Sequence, residues 1–69
     1  MPEHPELDNT LKALRSAAGM TQAELAEAIG VSRKTINTVE NGVFVPSTIL
    51  ALKLARALDT RVEDIFCLR

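Results

Sequence analysis

The chain has 69 residues, enough for one small domain, and its 46% hydrophobic and 25% charged residues are ordinary for a globular protein. A single cysteine and a single histidine exclude an intrachain disulfide and a credible zinc site, so we expect no metal and no cofactor. The formal net charge of −1 does not by itself indicate a nucleic-acid partner, and no apolar run is long enough to span a membrane.

The N-terminal stretch is acidic and contains two prolines, Pro2 and Pro5. It lacks the basic and apolar segments of a signal peptide, so the sequence predicts a cytoplasmic protein. We interpret residues 1–8 as a flexible tail and residues 9–69 as the folded domain. Cys67 is interpreted as a small apolar residue near the end of the fold.

The first two helices are predicted from apolar spacing and from the residues at their ends. Asp8 or Asn9 can cap a helix that runs to about residue 18, where Gly19 ends it. Thr21 and Glu24 have the spacing of a capping box, which starts a second helix that stops at Gly30. No segment shows the two-residue alternation that would indicate a strand.

Three more helices follow. Ser32 can cap a third helix that ends at Asn41 and Gly42, a fourth covers about 47–58, and a short fifth covers about 62–66. The second and third helices are separated by a short turn that contains glycine, which is the spacing of a helix-turn-helix unit. The third helix directs Ile36 and Val39 inward. Its outward residues all carry hydrogen-bonding groups, and they are Ser32, Arg33, Lys34, Asn37, Thr38 and Asn41.

Side chains of these types can read DNA, because Arg and Lys donate to guanine and Asn pairs with adenine. An ordinary solvated helix face has a similar composition, so the residues alone leave both interpretations open.

A resemblance to a known protein family favours the DNA-reading interpretation over the ordinary solvated face. The chain resembles the Cro/phage-repressor (XRE) helix-turn-helix family over residues 9–66, and in particular its short, stand-alone members. The segments that carry the resemblance are Leu11–Arg15, Gly19–Ala26, Ile29–Arg33, Thr35–Ile36, Val39–Gly42, Pro46–Ser47, Leu54–Ala55, Leu58 and Glu63–Phe66. It implies a compact, all-α, five-helix, lambda-repressor-like domain that binds double-stranded operator DNA as a dimer and regulates transcription, and we expect it to act as a repressor.

The resemblance also implies roles for single residues. Gln22 and Asn41 match positions that contact the DNA backbone, and backbone amides near residues 42–44 could reach a phosphate. Positions that reach bases or nearby phosphates match Ser32, Arg33, Lys34, Thr35 and Thr38, while Asn37 faces the same groove. Arg15 and Glu40 match a structural salt bridge.

The sequence departs from the family pattern in two places. The loop at Val43–Val45 lacks the lysine that many relatives carry, which predicts fewer phosphate contacts there. Thr60–Arg61 departs from the usual start of the last helix.

A homodimer is also expected from the apolar residues near the C-terminus. The fourth helix has more apolar positions than one buried face requires, and a continuous apolar patch would form an interaction surface. The predicted interface residues are Ile49, Leu50, Leu52, Ile65, Phe66 and Leu68.

Two functions from different classes remain at this point: a DNA-binding transcription regulator, and a protein-interaction module, antitoxin-like for example, on the same fold with weak or no DNA binding. The near-neutral charge favours the second. An enzyme is not expected, because the sequence offers no nucleophile paired with a base. No membrane partner or small-molecule ligand is evident.

Overall fold

The computed structural model describes residues 6–69, which form five helices and two short strands. In chain order these are β1 (Leu7–Asn9), α1 (Leu11–Ala17), α2 (Gln22–Ile29), α3 (Arg33–Glu40), α4 (Thr48–Ala57), α5 (Val62–Ile65) and β2 (Phe66–Leu68). The five predicted helices are confirmed, with ends that differ from the expected ones by a residue or so. None of the helices in residues 6–69 has the length and apolar character needed to cross a bilayer.

One hydrophobic core joins all five helices. Its fully buried large side chains are Leu11, Leu25, Ile36, Val39, Leu54 and Ile65. α2 packs against both α3 and α4, while α1 contacts α3 and α5 contacts α4. Burial of one such side chain contributes about 1.5–3 kcal/mol, so a core with this few members leaves a small stability margin.

The predicted capping box fixes the start of α2. The Thr21 hydroxyl accepts from the Glu24 amide at 3.0 Å, and the Glu24 carboxylate accepts from the Thr21 amide at 2.8 Å. The helix ends at Gly30, whose φ of 77° lies in the left-handed region. Both ends of α2 are therefore set by short sequence signals.

The two strands were not expected. β1 pairs antiparallel with β2, with Leu7 opposite Leu68 and Asn9 opposite Phe66. The expectation that no strand forms is wrong, because strands of three residues are too short to show a two-residue period and their pairing joins distant parts of the chain. Leu7 and Asp8 thus lie in a strand rather than in the expected tail, and residues 1–5 lie outside the described residues.

The N-cap position of α1 is Thr10, which has no side-chain cap, so the expectation that Asp8 or Asn9 occupies this position is wrong. Asn9 instead lies one residue earlier and contacts the first turn of the helix. Its side-chain oxygen accepts from the Leu11 amide at 3.1 Å, and its amide nitrogen donates to the Val39 carbonyl at 3.1 Å. Asp8 instead accepts from the Asn9 amide and lies 3.9 Å from the Arg69 guanidinium. One side chain at the end of β1 therefore joins the start of α1 to the end of α3.

The start of α5 has a substitute for the usual cap. Arg61 precedes the helix without a capping side chain, and its guanidinium donates to Asp64 at 3.2 Å. Thr60 also donates to Asp64, at 3.3 Å. The hydrogen bond from Arg61 lowers the pKa of the Asp64 carboxyl.

The predicted dimer surface requires a correction. Leu50 is 9% exposed and Ile65 is 1% exposed, because both pack into the core among α2, α4 and α5. The expectation that these two residues form an interface between subunits is therefore wrong. Ile49, Leu52 and Leu68 are 67%, 56% and 81% exposed.

The structure brings Arg15 of α1 and Glu40 of α3 together. The Arg15 Nε lies 2.6 Å from Glu40 Oε2, and the two side chains are 11% and 3% exposed. Arg15 also donates to the Met20 carbonyl at 2.8 Å. The hydrogen bond to Glu40 raises the pKa of Arg15. The ion pair ties the first helix to the C-terminal end of α3.

We predict that Gly30→Ala destabilises the domain by about 1–2 kcal/mol, because a residue with a Cβ is strained at this φ although the space beside it is open. Gly30→Asn should cost less, since asparagine visits the left-handed region more readily. Urea denaturation of the two variants measures the difference. An alanine variant as stable as the wild type would contradict this account.

We predict that Arg15→Met costs about 3–5 kcal/mol, because it leaves the buried Glu40 carboxylate without its cation. A loss of that size leaves much of a domain this small unfolded, which circular dichroism and urea denaturation measure. Adding Glu40→Leu should restore part of the stability. Arg61→Met is the matched control: it removes an exposed pair and should leave the denaturation midpoint nearly unchanged. Equal effects at positions 15 and 61 would contradict the assignment.

Candidate nucleic-acid interface

The third helix is held at its start by a side-chain cap and by the turn before it. The Ser32 hydroxyl accepts from the Thr35 amide at 3.2 Å, as the sequence predicted. In the turn, the Val31 amide donates to the Ala26 carbonyl at 3.0 Å, and the Val31 side chain packs against the core. The two helices are therefore locked together at the turn, and α3 packs mainly against α2.

The outward face of α3 has the polar composition expected of a reading surface. Ile36 and Val39 point into the core, at 0% and 1% exposure. Thr35 and Thr38 lie at the edge of the face and are half-buried. The exposed members are Ser32, Arg33, Lys34, Asn37 and Asn41.

Positive charge on this face is not neutralised by neighbours. Within residues 6–69, the ion pairs involve other cations, and neither Arg33 nor Lys34 takes part in one. Glu40 is the only acidic residue of α3, and its carboxylate is buried against Arg15. The exposed side of α3 therefore carries two free cations and no exposed carboxylate, although the whole chain has a charge of −1.

Hydrogen bonds within the face decide which polar groups remain available. The Asn41 amide nitrogen donates to the Asn37 side-chain oxygen at 3.1 Å. This bond orients both side-chain amides. The Asn37 nitrogen and the Asn41 oxygen take no part in it. Asn37 can therefore still donate, while Asn41 has one of its two N–H groups engaged.

The threonines on this face use their hydroxyls locally. The Thr38 hydroxyl donates to the Thr35 carbonyl at 3.0 Å, one turn back along the helix. The hydroxyls of Ser32 and Thr35 lie 3.0 Å apart and share a hydrogen bond. The sequence did not indicate this, because serine and threonine hydroxyls can face either the helix backbone or a ligand.

Gln22 lies at the start of α2 and is half-buried. Its amide nitrogen donates to Glu40 Oε1 at 3.0 Å, and Arg15 donates to the same oxygen at 3.3 Å. Gln22 is thus part of the ionic network beneath α3, a connection that sequence reasoning missed. One N–H of the amide is held by Glu40, which leaves the second for an external acceptor.

The backbone amides after α3 are not free. Gly42 donates to the Val39 carbonyl at 3.1 Å, and Val43 and Phe44 donate to the Thr38 carbonyl at 3.0 and 3.2 Å. The expectation that these amides reach a phosphate is therefore wrong: they satisfy the carbonyls that the last turn of the helix leaves unpaired.

Phe44, whose side chain was not among the predicted site residues, lies beside the outward face of α3. Its side chain is 46% exposed and lines a small concavity with Lys34, Thr35 and Thr38. The available signal was an aromatic residue in a loop directly after the polar helix, in a chain with only 3% aromatics.

The chemistry of this surface is that of binding rather than of reaction. Its available groups are two cations and several amide and hydroxyl groups, which neutralise and hydrogen-bond an anionic, polar partner. Over the described range 6–69, no cluster of acidic, cysteine or histidine side chains is placed to hold a metal ion.

The sequence matches the Helix-turn-helix family model over residues 11–65, most of the chain. Among curated proteins, it is 42% identical over 62 residues to the uncharacterized HTH-type transcriptional regulator YgzD of Bacillus subtilis, covering 90% of this chain and 94% of that protein. It is 53% identical over 55 residues to an uncharacterized HTH-type transcriptional regulator of Methanothermobacter thermautotrophicus, covering 78% and 80% of the two chains.

Solved structures show the same likeness. The restriction-modification controller protein C.AhdI from Aeromonas hydrophila superposes with a TM-score of 0.74 at 39% identity, over 78% of this chain and 82% of that one. A putative DNA-binding protein from Bacteroides fragilis, at 24% identity, shares the fold with a TM-score of 0.81 over 88% of this chain and 98% of that one. The fold is the lambda-repressor-like one, and the family is one of regulators rather than enzymes. The chain belongs to the XRE-type helix-turn-helix family of DNA-binding transcription regulators.

Proposed function

We propose that this regulator binds a palindromic operator as a homodimer, with the outward face of α3 in the major groove, and represses transcription there. The observation that carries the proposal is the pair of exposed, unpaired cations Arg33 and Lys34 on the first turn of a helix that is capped and held outward. The N-terminal residues of the second helix in such a unit are those that reach base edges.

Base reading is assigned to the groups on this face that remain free. Arg33 can donate to the O6 and N7 acceptors of guanine, Lys34 can donate to a base acceptor such as guanine O6 or thymine O4, and the Asn37 amide can still donate to a base. Ser32, Thr35 and Thr38 lie beside them with hydroxyls engaged within the helix, so they shape the surface more than they donate to bases.

Backbone contacts are assigned to Gln22 and Asn41. The two residues flank the reading face, at the start of α2 and at the end of α3. Each has an amide N–H beyond the one engaged inside the protein. Hydrogen bonds to phosphates position a protein on the duplex and carry no sequence information. The network through Glu40 keeps the Gln22 amide fixed in place for such a contact.

The dimer is proposed to form through an apolar surface beside the reading face. A groove between the α3–α4 loop, α4 and α5 is lined by Leu7, Val45, Leu52 and Phe66, among others. Ile49 lies one turn before Leu52 on α4, and Leu68 pairs with Leu7 in the sheet. Leu52, Phe66 and Leu68 thus lie at or beside the groove, and with Ile49 they are the four predicted interface residues that are not buried in the core.

The low net charge supports a dimer as well. Each subunit offers few cations to the phosphates, so two sets of contacts are needed for useful affinity. A two-fold dimer would place its two α3 helices one duplex turn apart, about 34 Å. The proposed site of action is the cytoplasm, where a regulator of this family meets its DNA.

The direct test is selection of bound sites from random duplex DNA, with binding measured at two salt concentrations. We expect enriched palindromes and an affinity that falls as salt rises. Absence of any salt-dependent DNA binding would overturn the proposal and favour a protein-interaction module.

We predict that Arg33→Ala weakens binding to the selected operator by about 1–3 kcal/mol and relaxes base preference at one position of each half-site. Gln22→Ala should weaken all sequences alike, because a phosphate contact does not depend on sequence. Titration of each variant against operator and scrambled duplexes separates the two effects. Unchanged operator affinity in the Arg33 variant would show that the reading face is assigned wrongly.

We predict that Leu52→Glu abolishes the dimer, because it buries a carboxylate in an apolar contact. Sedimentation velocity should show monomers, and footprints should lose the paired half-sites that the wild type protects about 10 bp apart. Ala28→Glu is the control, since it adds the same charge at an exposed alanine of α2 outside the surface. Wild-type oligomeric state in the Leu52 variant would exclude this interface.

A further inference from the structure

A small concavity lies at the edge of the reading face, where the loop after α3 folds back on the helix. Its lining residues are Ser32, Lys34, Thr35, Thr38 and Phe44, and its volume is about 180 Å³. The loop is held there by the hydrogen bonds that Val43 and Phe44 donate to the Thr38 carbonyl. Phe44 therefore faces the same side of the molecule as Lys34 and Thr38.

The surface of this concavity is apolar although its residues are mostly polar. The Thr38 hydroxyl proton is donated to the Thr35 carbonyl, and the Ser32 and Thr35 hydroxyls are bonded to each other. The threonine side chains therefore contribute methyl groups to the lining, and Phe44 contributes its ring. Lys34 is the one charged residue at the rim, and it can only donate hydrogen bonds.

An apolar recess next to a cationic donor matches one base of the major groove. Thymine presents a C5-methyl group and an O4 acceptor side by side, whereas cytosine presents an N4 amino donor and no methyl. Threonine methyls and phenylalanine are side chains that contact the thymine methyl. The exposed Phe44 ring would lose water contact by covering such a methyl group.

We propose that this concavity receives the C5-methyl group of a thymine in each half-site, with Phe44 and the Thr38 methyl as specificity-determining groups and Lys34 as the donor to O4. The inference rests on the proposed placement of α3 in the major groove. A methyl group at the same position occurs in 5-methylcytosine. Its N4 amino group is a hydrogen-bond donor, however, and would face the Lys34 ammonium, which is also a donor. Thymine is therefore the favoured occupant.

The experiment replaces single thymines of the selected operator by deoxyuridine, which keeps base pairing and O4 and removes only the methyl group. We expect replacement of one particular thymine in one half-site to lower the affinity about 4-fold, the factor that corresponds to burial of one methyl group. Replacement in both half-sites should lower it about 15-fold. Equal affinity for thymine and deoxyuridine at every position would overturn the proposal.

Protein variants assign the effect to the named residues. Phe44→Ala should bring the thymine-to-deoxyuridine affinity ratio close to 1. Thr38→Ser removes the methyl and keeps the hydroxyl, so the ratio should fall. Thr38→Val keeps the methyl and removes the hydroxyl, so the ratio should persist. A ratio that persists in Thr38→Ser and falls in Thr38→Val would show that the hydroxyl, not the methyl, reads the base.

Further arms separate the remaining outcomes. A duplex with 5-methylcytosine paired to guanine at the sensitive position should bind more tightly than cytosine and less tightly than thymine. Affinity equal to that of thymine would overturn the role of Lys34 and the choice of thymine. Failure of the selection to yield any bound duplex would instead overturn the proposed function, so the two failures are distinguishable.

Discussion

The buried Glu40 carboxylate organises this domain from the end of α3. It accepts hydrogen bonds from Arg15 of α1 and from Gln22 at the start of α2, so three helices meet at one side chain that is 3% exposed. A charge in that position is tolerated only because its partners satisfy it. The orientation of α3 relative to the helices behind it therefore depends on an ionic contact as well as on core packing.

The same contact shapes the electrostatics of the surface. Burying Glu40 removes the only carboxylate of α3 from the side that carries Arg33 and Lys34. Two exposed acids elsewhere, Asp8 and Asp64, lie beside arginines. Phosphate attraction acts locally, so the arrangement of charges matters more than their sum. A chain with a charge of −1 can in this way present a cationic face to DNA.

The loop between α3 and α4 contributes to both of the surfaces that we propose for DNA reading and for the dimer. Phe44 lines the concavity on the reading face, while the next residue, Val45, lines the apolar groove proposed for the dimer. Neighbouring residues thus serve two adjacent surfaces. The loop has few conformational choices, because its first amides are bonded to the last carbonyls of α3. A shift of the proposed subunit contact would therefore change the position of Phe44 at the edge of the outward face of α3.

The sequence by itself determined the helices, because their signals are local: capping residues such as Thr21 and Ser32, a left-handed glycine, and apolar spacing that repeats every turn. The family resemblance predicted which helix reads DNA. Only the tertiary structure decided the β1–β2 pairing, the burial of Leu50 and Ile65, and the internal hydrogen bonds of the threonine hydroxyls. Each of these depends on which distant groups come within contact distance, and a helical period gives the direction of a side chain but not the neighbour that covers it.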